Sequence, residues 1–202
     1  MYVTKPFHFS SDLEAVEFIK RYSFGALVTV EAGLPVATHI PFSIHTEGEK
    51  LVLSSHIALA NNQSATLTTG KALVIFTEPH AYISPAHYEK ELSVPTWNYI
   101  AVHAYGEVTL ITDDEGKLKS LEEMILTYDT NYFKQWKNLP QDWKLKMIKG
   151  ITAFEVTVTD LQGKKKLSQN RTDVERANII NSFAKSTDQN ERDIAEYMRT
   201  TH

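Results

Sequence analysis

The stretch of sequence that decides the fold is TWNYIAVHAYGEVTLIT, residues 96–112, which is the longest β-like run in the chain. It is rich in aromatic and β-branched residues, which favour strands. A strand this long has to bend or coil to stay within a small domain, and bent strands help to close a barrel. We predict that Gly106 marks the bend, because glycine inside a strand often does so.

Shorter β-like segments lie on both sides of this run. The segments GALVTVE (25–31), PVATHIPFSIHT (35–46) and KLVLSS (50–55) are separated by turn-like residues, which predicts an antiparallel meander. ALVIFTE at 72–78 adds a strand, and GITAFEVTVTD at 150–160 must return to the same sheet. Strands thus dominate the first half of the chain, and the pattern is not an alternating βαβ one.

Helical patterns lie at the N-terminus and in the second half of the chain. Ser11 and Glu14 have capping-box spacing at the start of the first helix. The predicted helices cover about 11–22, 58–67, 117–132, 141–149, 173–185 and 189–200. Residues 79–95, rich in proline and aromatic residues, are predicted as an ordered irregular loop. The fold class is therefore α+β: an antiparallel β-barrel with packed helices, in one domain over residues 1–202.

Composition limits the partners and the compartment. The 202 residues include 42% hydrophobic and 23% charged residues, no cysteine, and a net charge of −4. The absence of cysteine suits a reducing cytoplasm, and no apolar run approaches the length of a membrane span, so we expect a soluble cytoplasmic protein without a membrane partner. The net charge does not favour DNA as a partner, although a local basic patch is compatible with it.

Four segments together carry a family resemblance. They are AYISPAHYEKELSVPTWNYIAVHAYG (81–106), KKLSQNR (165–171), HIPF (39–42) and HIALANNQ (56–63). In these segments the chain resembles the PaiB family of FMN-binding split barrels, which are described as transcriptional regulators. The resemblance implies a Greek-key-like antiparallel split barrel that forms a homodimer, with two flavin-type pockets at the subunit interface. FMN is the cofactor that it implies.

The aromatic and amide residues of TWNY are the first predicted part of the flavin site. By analogy with split-barrel oxidases, Trp97, Asn98 and Tyr99 would touch the edge of the flavin ring. On a strand, Trp97 and Tyr99 face one side and Asn98 faces the other, so both sets line one pocket only if the strand is bulged or lies at a dimer interface. The alternative is that the two aromatic residues belong to the core.

The late segment KLSQNR is the second predicted part of the site. Lys166, Ser168, Gln169, Asn170 and Arg171 offer ammonium, hydroxyl, amide and guanidinium groups, which bind an anion or the polar edge of a flavin. Two structural alternatives remain open. Residues 163–166 (GKKK) could form a solvated turn, and residues 168–170 could cap the helix that follows.

The third predicted part would hold the flavin phosphate. His56, Asn61 and Gln63 lie in HIALANNQ, where the family's usual segment resembles H-x-A-R-A-N-P-Q. Leu59 occupies the position of the family's arginine, which is a natural partner for phosphate. Because leucine carries no positive charge, this departure weakens the prediction of FMN specifically. If another positive charge compensates for Leu59, Lys166 and Arg171 are the leading candidates to supply it.

These features leave three functions open, besides a degenerate pocket retained only for dimer packing, and assign no catalytic residue. The first is ligand binding or sensing, with a role in transcriptional regulation. The second is a flavin-dependent oxidoreductase, in which Asn98, Ser168 and Gln169 orient the cofactor. The third is a DNA-binding repressor without redox activity. The eight histidines do not have the spacing of a known zinc motif, so we predict no metal site.

Overall fold

Seven strands, six α-helices and three short 3-10 turns make up the regular structure of residues 1–201, which this computed structural model describes. The strands are β1 (Phe24–Glu31), β2 (Leu34–Pro41), β3 (Ser43–Glu47), β4 (Lys50–Ala58), β5 (Lys71–Ile83), β6 (Thr96–Ile111) and β7 (Ile151–Lys166). The helices are α1 (Asp12–Arg21), α2 (Asp114–Tyr128), α3 (Tyr132–Asn138), α4 (Gln141–Ile148), α5 (Asp173–Phe183) and α6 (Gln189–Thr200).

The strands form one sheet in the order β2-β1-β5-β6-β7-β4-β3. Strand β1 pairs antiparallel with β2 and β5, and β4 pairs antiparallel with β3 and β7. The predicted antiparallel α+β architecture is confirmed. The predicted meander is only partly right, because the segment 35–46 is two strands interrupted at Phe42, whose fully buried side chain turns into the core.

Two glycines show how local geometry supports this topology. In the turn between β1 and β2, Ala32 has a φ of 49° and Gly33 a φ of 82°. Positive φ at both central residues is typical of a tight hairpin turn whose twist matches that of the strands. At Gly106, an added Cβ would lie 2.4 Å from the carbonyl oxygen of Thr157 in β7. Glycine at this position in β6 therefore lets the two backbones approach closely.

Residues 1–201 divide into two compact units. The first consists of residues 1–18, 77–103 and 162–201, and the second of residues 19–76 and 104–161. The core of the first unit includes Ile83, Ile100, Val102, Leu167, Ile179 and Ile194, which are all fully buried or nearly so. In the second unit, the rings of Phe42 and Phe76 pack edge to face with their centroids 5.6 Å apart.

Some helices differ from the sequence-based predictions. The predicted helix 58–67 was wrong, because only the 3-10 turn Asn62–Ala65 forms there. The predicted helix 117–132 is split, since α2 ends at Tyr128 and the carboxylate of Asp129 accepts a hydrogen bond of 3.0 Å from the backbone N–H of Tyr132 at the start of α3. The predicted loop 79–95 was wrong at its start, where β5 continues to Ile83.

The two terminal helices were predicted correctly. Helix α5 begins with a complete capping box, in which Thr172 caps the helix and Glu175 accepts a hydrogen bond from the backbone N–H of Thr172. Residues 168–170 are therefore not the helix cap. Within residues 1–201, no helix has both the length and the apolar composition that crossing a membrane requires.

Candidate functional site

A cavity of about 140 Å³ in the first unit brings together five of the predicted site residues. They are Asn98, Lys166, Ser168, Asn170 and Arg171. Thr96 completes the polar lining, and Val94 and Pro95 form an apolar rim. The start of β6 and the end of β7 with its following loop therefore meet here, although Thr96 and Lys166 are 70 residues apart in sequence.

Lys166 is the last residue of β7 and is held by two acceptors. Its ammonium Nζ donates hydrogen bonds to the hydroxyl of Thr96 and, at 2.9 Å, to the carbonyl oxygen of Trp97. Burial lowers the pKa of Lys166, and the positive charges of Lys164 and Arg171 lower it further. The cavity is therefore a region of concentrated positive charge.

Arg171 is placed by stacking. Its guanidinium carbon lies 3.7 Å from the centroid of the Tyr88 ring, which is a cation–π contact. Arg171 also forms an ion pair with the buried residue Glu175, with 4.0 Å between a guanidinium nitrogen and a carboxylate oxygen. The carboxylate of Glu175 also accepts hydrogen bonds from the backbone N–H groups of Glu89 and Thr172. Because these contacts share the charge of Glu175, they leave Arg171 only partly neutralised.

The amide side chains of Asn98, in β6, and Gln169, in the loop after β7, are both bound by other groups of the protein. Asn98 is fully buried, its side-chain oxygen accepts a 3.1 Å hydrogen bond from Ser168, and its amide donates to the sulfur of Met198 at 3.5 Å. The Gln169 side chain accepts from the backbone N–H of Leu167 at 2.7 Å and donates to the carbonyl oxygen of Lys165 at 2.6 Å. Gln169 therefore braces the loop.

Trp97 and Tyr99 do not line this cavity. Burial alternates along β6, so that Asn98 and Ile100 are buried whereas Trp97 is 51% exposed. The ring of Trp97 lies 5.8 Å from that of Tyr82, centroid to centroid, in an edge-to-face contact. Tyr99 lies under the ammonium of Lys164 at 5.4 Å. The half-exposed Trp97 is thus not a core residue, which was the alternative interpretation.

The three consecutive lysines at the end of β7 have different environments. The alternative that residues 163–166 form a turn was wrong, because they belong to the strand. Lys165 is buried and pairs with Glu14. Burial alone would raise the pKa of Glu14, but hydrogen bonds from Lys165 and Ser10 outweigh it and lower the pKa. Of the three, only Lys166 faces the cavity.

The predicted residues of HIALANNQ lie in the second unit, where the protein itself engages their amides. The Gln63 amide donates to the hydroxyl of Thr29 at 2.9 Å and to two backbone carbonyls, and its oxygen accepts from Thr38 at 2.6 Å. Asn61 donates to the same Thr38 hydroxyl at 3.0 Å and accepts from the backbone N–H of Gln63. Their role in cofactor binding stays a prediction.

His56 and Leu59 are less constrained. Burial lowers the pKa of His56, and its Nδ1 atom is buried with no hydrogen-bond partner among residues 1–201. Leu59 is 57% exposed. A neutral imidazole and an exposed leucine carry no positive charge, so in this segment the predicted phosphate site has no cationic side chain.

A second cavity, of about 330 Å³, lies in the second unit and was missed by the sequence-based interpretation. His45 in β3 and Glu155 in β7 line it, and β4 lies between these two strands in the sheet. The Nε2 atom of His45 lies 3.9 Å from carboxylate oxygens of both Glu47 and Glu155. Strand alternation alone could not bring β3, β7 and α2 to one place. Among residues 1–201, no three His, Asp or Glu side chains have an arrangement that could hold a metal ion.

Comparison with solved structures defines the class of protein. The chain is similar to the FAD and heme binding protein from Mycobacterium smegmatis, with a TM-score of 0.61 and 17% identity, over 79% of this chain and 73% of that one. It is also similar to the flavocytochrome Anf3 from Azotobacter vinelandii, with a TM-score of 0.58 and 16% identity, over 75% and 66% of the two chains. The fold is that of the flavin-binding split barrels.

Sequence comparison identifies the family. The family described as "Putative FMN-binding domain" matches residues 1–160. Protease synthase and sporulation protein PAI 2 from Bacillus subtilis, which is PaiB, is 35% identical over 98% of this chain and 96% of its own length. The chain belongs to the FMN-binding PaiB family, and the resemblance predicted from its motifs is confirmed. Family membership also supports the prediction of a flavin cofactor of the FMN type.

Proposed function

We propose that this protein is a homodimer that binds FMN and acts in ligand binding or sensing, with a role in transcriptional regulation. The observation that carries the proposal is the cavity in the first unit, where five of the predicted site residues surround a region of concentrated positive charge. Membership of the family supports the cofactor. The homodimer is supported by the resemblance, which implies pockets at a subunit interface.

The residues present fit the groups that a flavin carries. Lys166 and Arg171 would hold its phosphate, because two cations offset the cost of removing a phosphate from water. The half-exposed ring of Trp97 offers a flat apolar surface of the kind that lines cofactor sites. When bound, a flavin supplies redox chemistry, and the protein supplies binding, orientation and electrostatics.

The proposed regulatory role is drawn from the family and from the name of the Bacillus relative, which refers to protease synthesis and sporulation. Direct DNA binding has less support in this chain. The helix α6 carries Glu191, Asp193 and Glu196 against two arginines, and this balance does not favour a phosphate backbone. The DNA-binding repressor and the flavin-dependent oxidoreductase therefore stay predictions.

The decisive experiment is a titration of the purified protein with FMN, followed by flavin fluorescence, with sedimentation to count bound flavin per dimer. We expect two FMN molecules per dimer. If the flavin does not bind at tens of micromolar, which corresponds to roughly −6 kcal/mol, the proposal is wrong. Reduction of the bound flavin by NADH or NADPH, with turnover of an acceptor, would favour the oxidoreductase. Salt-sensitive retardation of promoter DNA would favour the repressor.

A further inference from the structure

The balance of charge in the first-unit cavity is the starting point. Lys166 and Arg171 both line it, and Lys164 is close enough to affect Lys166 electrostatically. The carboxylate that pairs with Arg171 belongs to Glu175, 4.0 Å away, and it also binds backbone N–H groups. Because, in the described part of the chain, only Arg171 has a carboxylate partner and Lys166 has none, the cavity keeps a net positive charge, which favours a ligand of negative charge.

The two cations are held in place before any ligand arrives. Lys166 donates to the Thr96 hydroxyl and the Trp97 carbonyl, which leaves one of the three ammonium donors for a ligand. Arg171 stacks on Tyr88 at 3.7 Å, and its guanidinium forms an ion pair with the carboxylate of Glu175 at 4.0 Å. Groups fixed in this way lose little conformational entropy when they bind an anion.

The size of the cavity restricts the ligand. Sites for whole cofactors or drug-sized molecules usually have volumes of roughly 300–1,000 Å³, whereas this cavity measures about 140 Å³. It is therefore suited to one anionic group rather than to a tricyclic ring. Planar guanidinium and point-charge ammonium together suit a phosphoryl or carboxylate group.

We propose that the cavity lined by Thr96, Lys166 and Arg171 is a subsite for one small oxyanion, a phosphoryl or carboxylate group. The flavin's own phosphate and the acidic group of a second ligand share this chemistry. The inference rests on the proposed function only for the identity of the molecule that carries the anion. The subsite itself is defined by the residues of this chain.

The test is a titration of the protein, as purified, with inorganic phosphate, followed by ³¹P NMR. We expect Lys166→Met and Arg171→Met each to weaken phosphate binding by about tenfold or more. The matched control is Lys164→Met, which removes the same charge two residues away, from a lysine that does not line the cavity. It should weaken binding by only about twofold, through the field alone. Lys166→Arg should retain binding, and circular dichroism checks the fold of each variant.

Equal phosphate affinity in the wild type and in Lys166→Met, or an equal loss in Lys164→Met, would overturn the subsite. Should Lys166→Met fail to fold, Arg171→Met and Lys166→Arg decide the question in the same way. Because the titration needs no flavin, a protein that binds phosphate here but no FMN would refute the proposed function and leave the subsite standing.

Two further arms identify the source of the anion. Phosphate is titrated into protein saturated with FMN and into protein saturated with riboflavin, which lacks the phosphate. If FMN alone blocks phosphate binding, the flavin's phosphate occupies the subsite. If phosphate binds in both cases, the subsite serves the acidic group of a second ligand. Both of these outcomes require the subsite to exist. If riboflavin blocks phosphate binding as well, the flavin ring and the anion compete for the same space, and the proposal of a separate subsite is wrong.

Discussion

The residues predicted to hold the flavin fall into two groups that differ in how the fold uses their polar atoms. In the second unit, the side-chain amides of Asn61 and Gln63 share the Thr38 hydroxyl, and that of Gln63 also binds Thr29 and two backbone carbonyls. In the first unit, Lys166 and Arg171 keep charged donors at a cavity. Buried amides satisfied within the protein stabilise the fold, whereas cations whose charge is not fully neutralised are available to a ligand.

The difference shows why residue type alone does not identify a ligand-binding residue. Asparagine and glutamine carry both donors and acceptors, so they pair readily with a neighbouring backbone. Lysine and arginine have donors only, and Lys166 keeps one ammonium donor beyond its two acceptors at the cavity. Mutation of the two groups should therefore have different effects. Changes to the amides of the second unit should lower the stability of the fold, and changes to the cations of the first unit should lower the affinity for the ligand.

The largest expected effect follows from replacing both Lys166 and Arg171 with alanine. Each removes a charge-assisted contact to the phosphate, so we expect the affinity for FMN to fall by about 4 kcal/mol, roughly a thousandfold. Flavin fluorescence titration measures it, and urea unfolding should show little change. Unchanged FMN affinity together with lost phosphate binding would assign the cavity to a different acidic ligand.

Gln63→Ala tests the other side of the comparison. The side chain of Gln63 is fully buried, and its loss removes one hydrogen bond from each of the Thr29 and Thr38 hydroxyls and from two backbone carbonyls. We expect the free energy of unfolding to fall by about 3 kcal/mol in urea denaturation. Ser64→Ala, at an exposed hydrogen bond in the same turn, is the control and should cost much less. If Gln63→Ala lowers FMN affinity but not stability, Gln63 is a ligand residue after all.

The sequence predicted most where local chemistry decides the structure. The predicted helix 173–185 is α5, which ends at Phe183, and the β-rich run at 96–112 is strand β6 except for its last residue. It failed where a distant residue decides. One interpretation of residues 163–166 was a solvated turn. In the structure they belong to β7, where the buried Lys165 forms an ion pair with Glu14, about 150 residues earlier in the sequence. Likewise, Asn61 caps only a 3-10 turn, because Gln63 is drawn into bonds with β1 and β2.

The site shows the same division. Five of the residues that the motifs KLSQNR and TWNY indicated meet at one cavity, but Trp97, Tyr99 and Gln169 do not line it. Their spacing could not indicate that Gln169 braces its own loop or that Tyr88 supports Arg171, because both depend on the path of the loop after β7. The cavity between α2, β3 and β7 had no sequence signal at all, since residues from three separate regions of the chain form it.

Leu59→Arg tests whether the second unit has lost a phosphate contact. Leu59 is 57% exposed, so arginine fits there without a cost in packing. Restoring the family's arginine should raise the affinity for FMN by about tenfold, ~1.4 kcal/mol, and leave the affinity for riboflavin unchanged. Leu59→Gln, which adds length without charge, is the control. An equal gain for both flavins would show that the new side chain acts on something other than the phosphate.

The smallest expected effect concerns the ion pair between Glu14 and Lys165, the lysine that does not line the cavity. The pKa of Glu14 is lower in the folded protein than its ordinary value, because hydrogen bonds from Lys165 and Ser10 outweigh the opposing effect of burial. A lowered folded-state pKa stabilises the protein above the unfolded pKa, and this contribution is lost as pH falls through the folded pKa. Glu14→Gln should therefore be less stable than the wild type at neutral pH, and the difference should shrink in acid.

Urea unfolding at a series of pH values below neutral measures this difference, and Lys165→Met provides the matched background. In that background, Glu14→Gln should have less effect, because the main partner of the carboxylate is gone. A difference that stays constant with pH would show that the pair does not titrate as described. FMN affinity should remain unchanged in Glu14→Gln. Lys165 is held within the fold, as Gln63 is, and of the three consecutive lysines only Lys166 lines the cavity where an anion would bind.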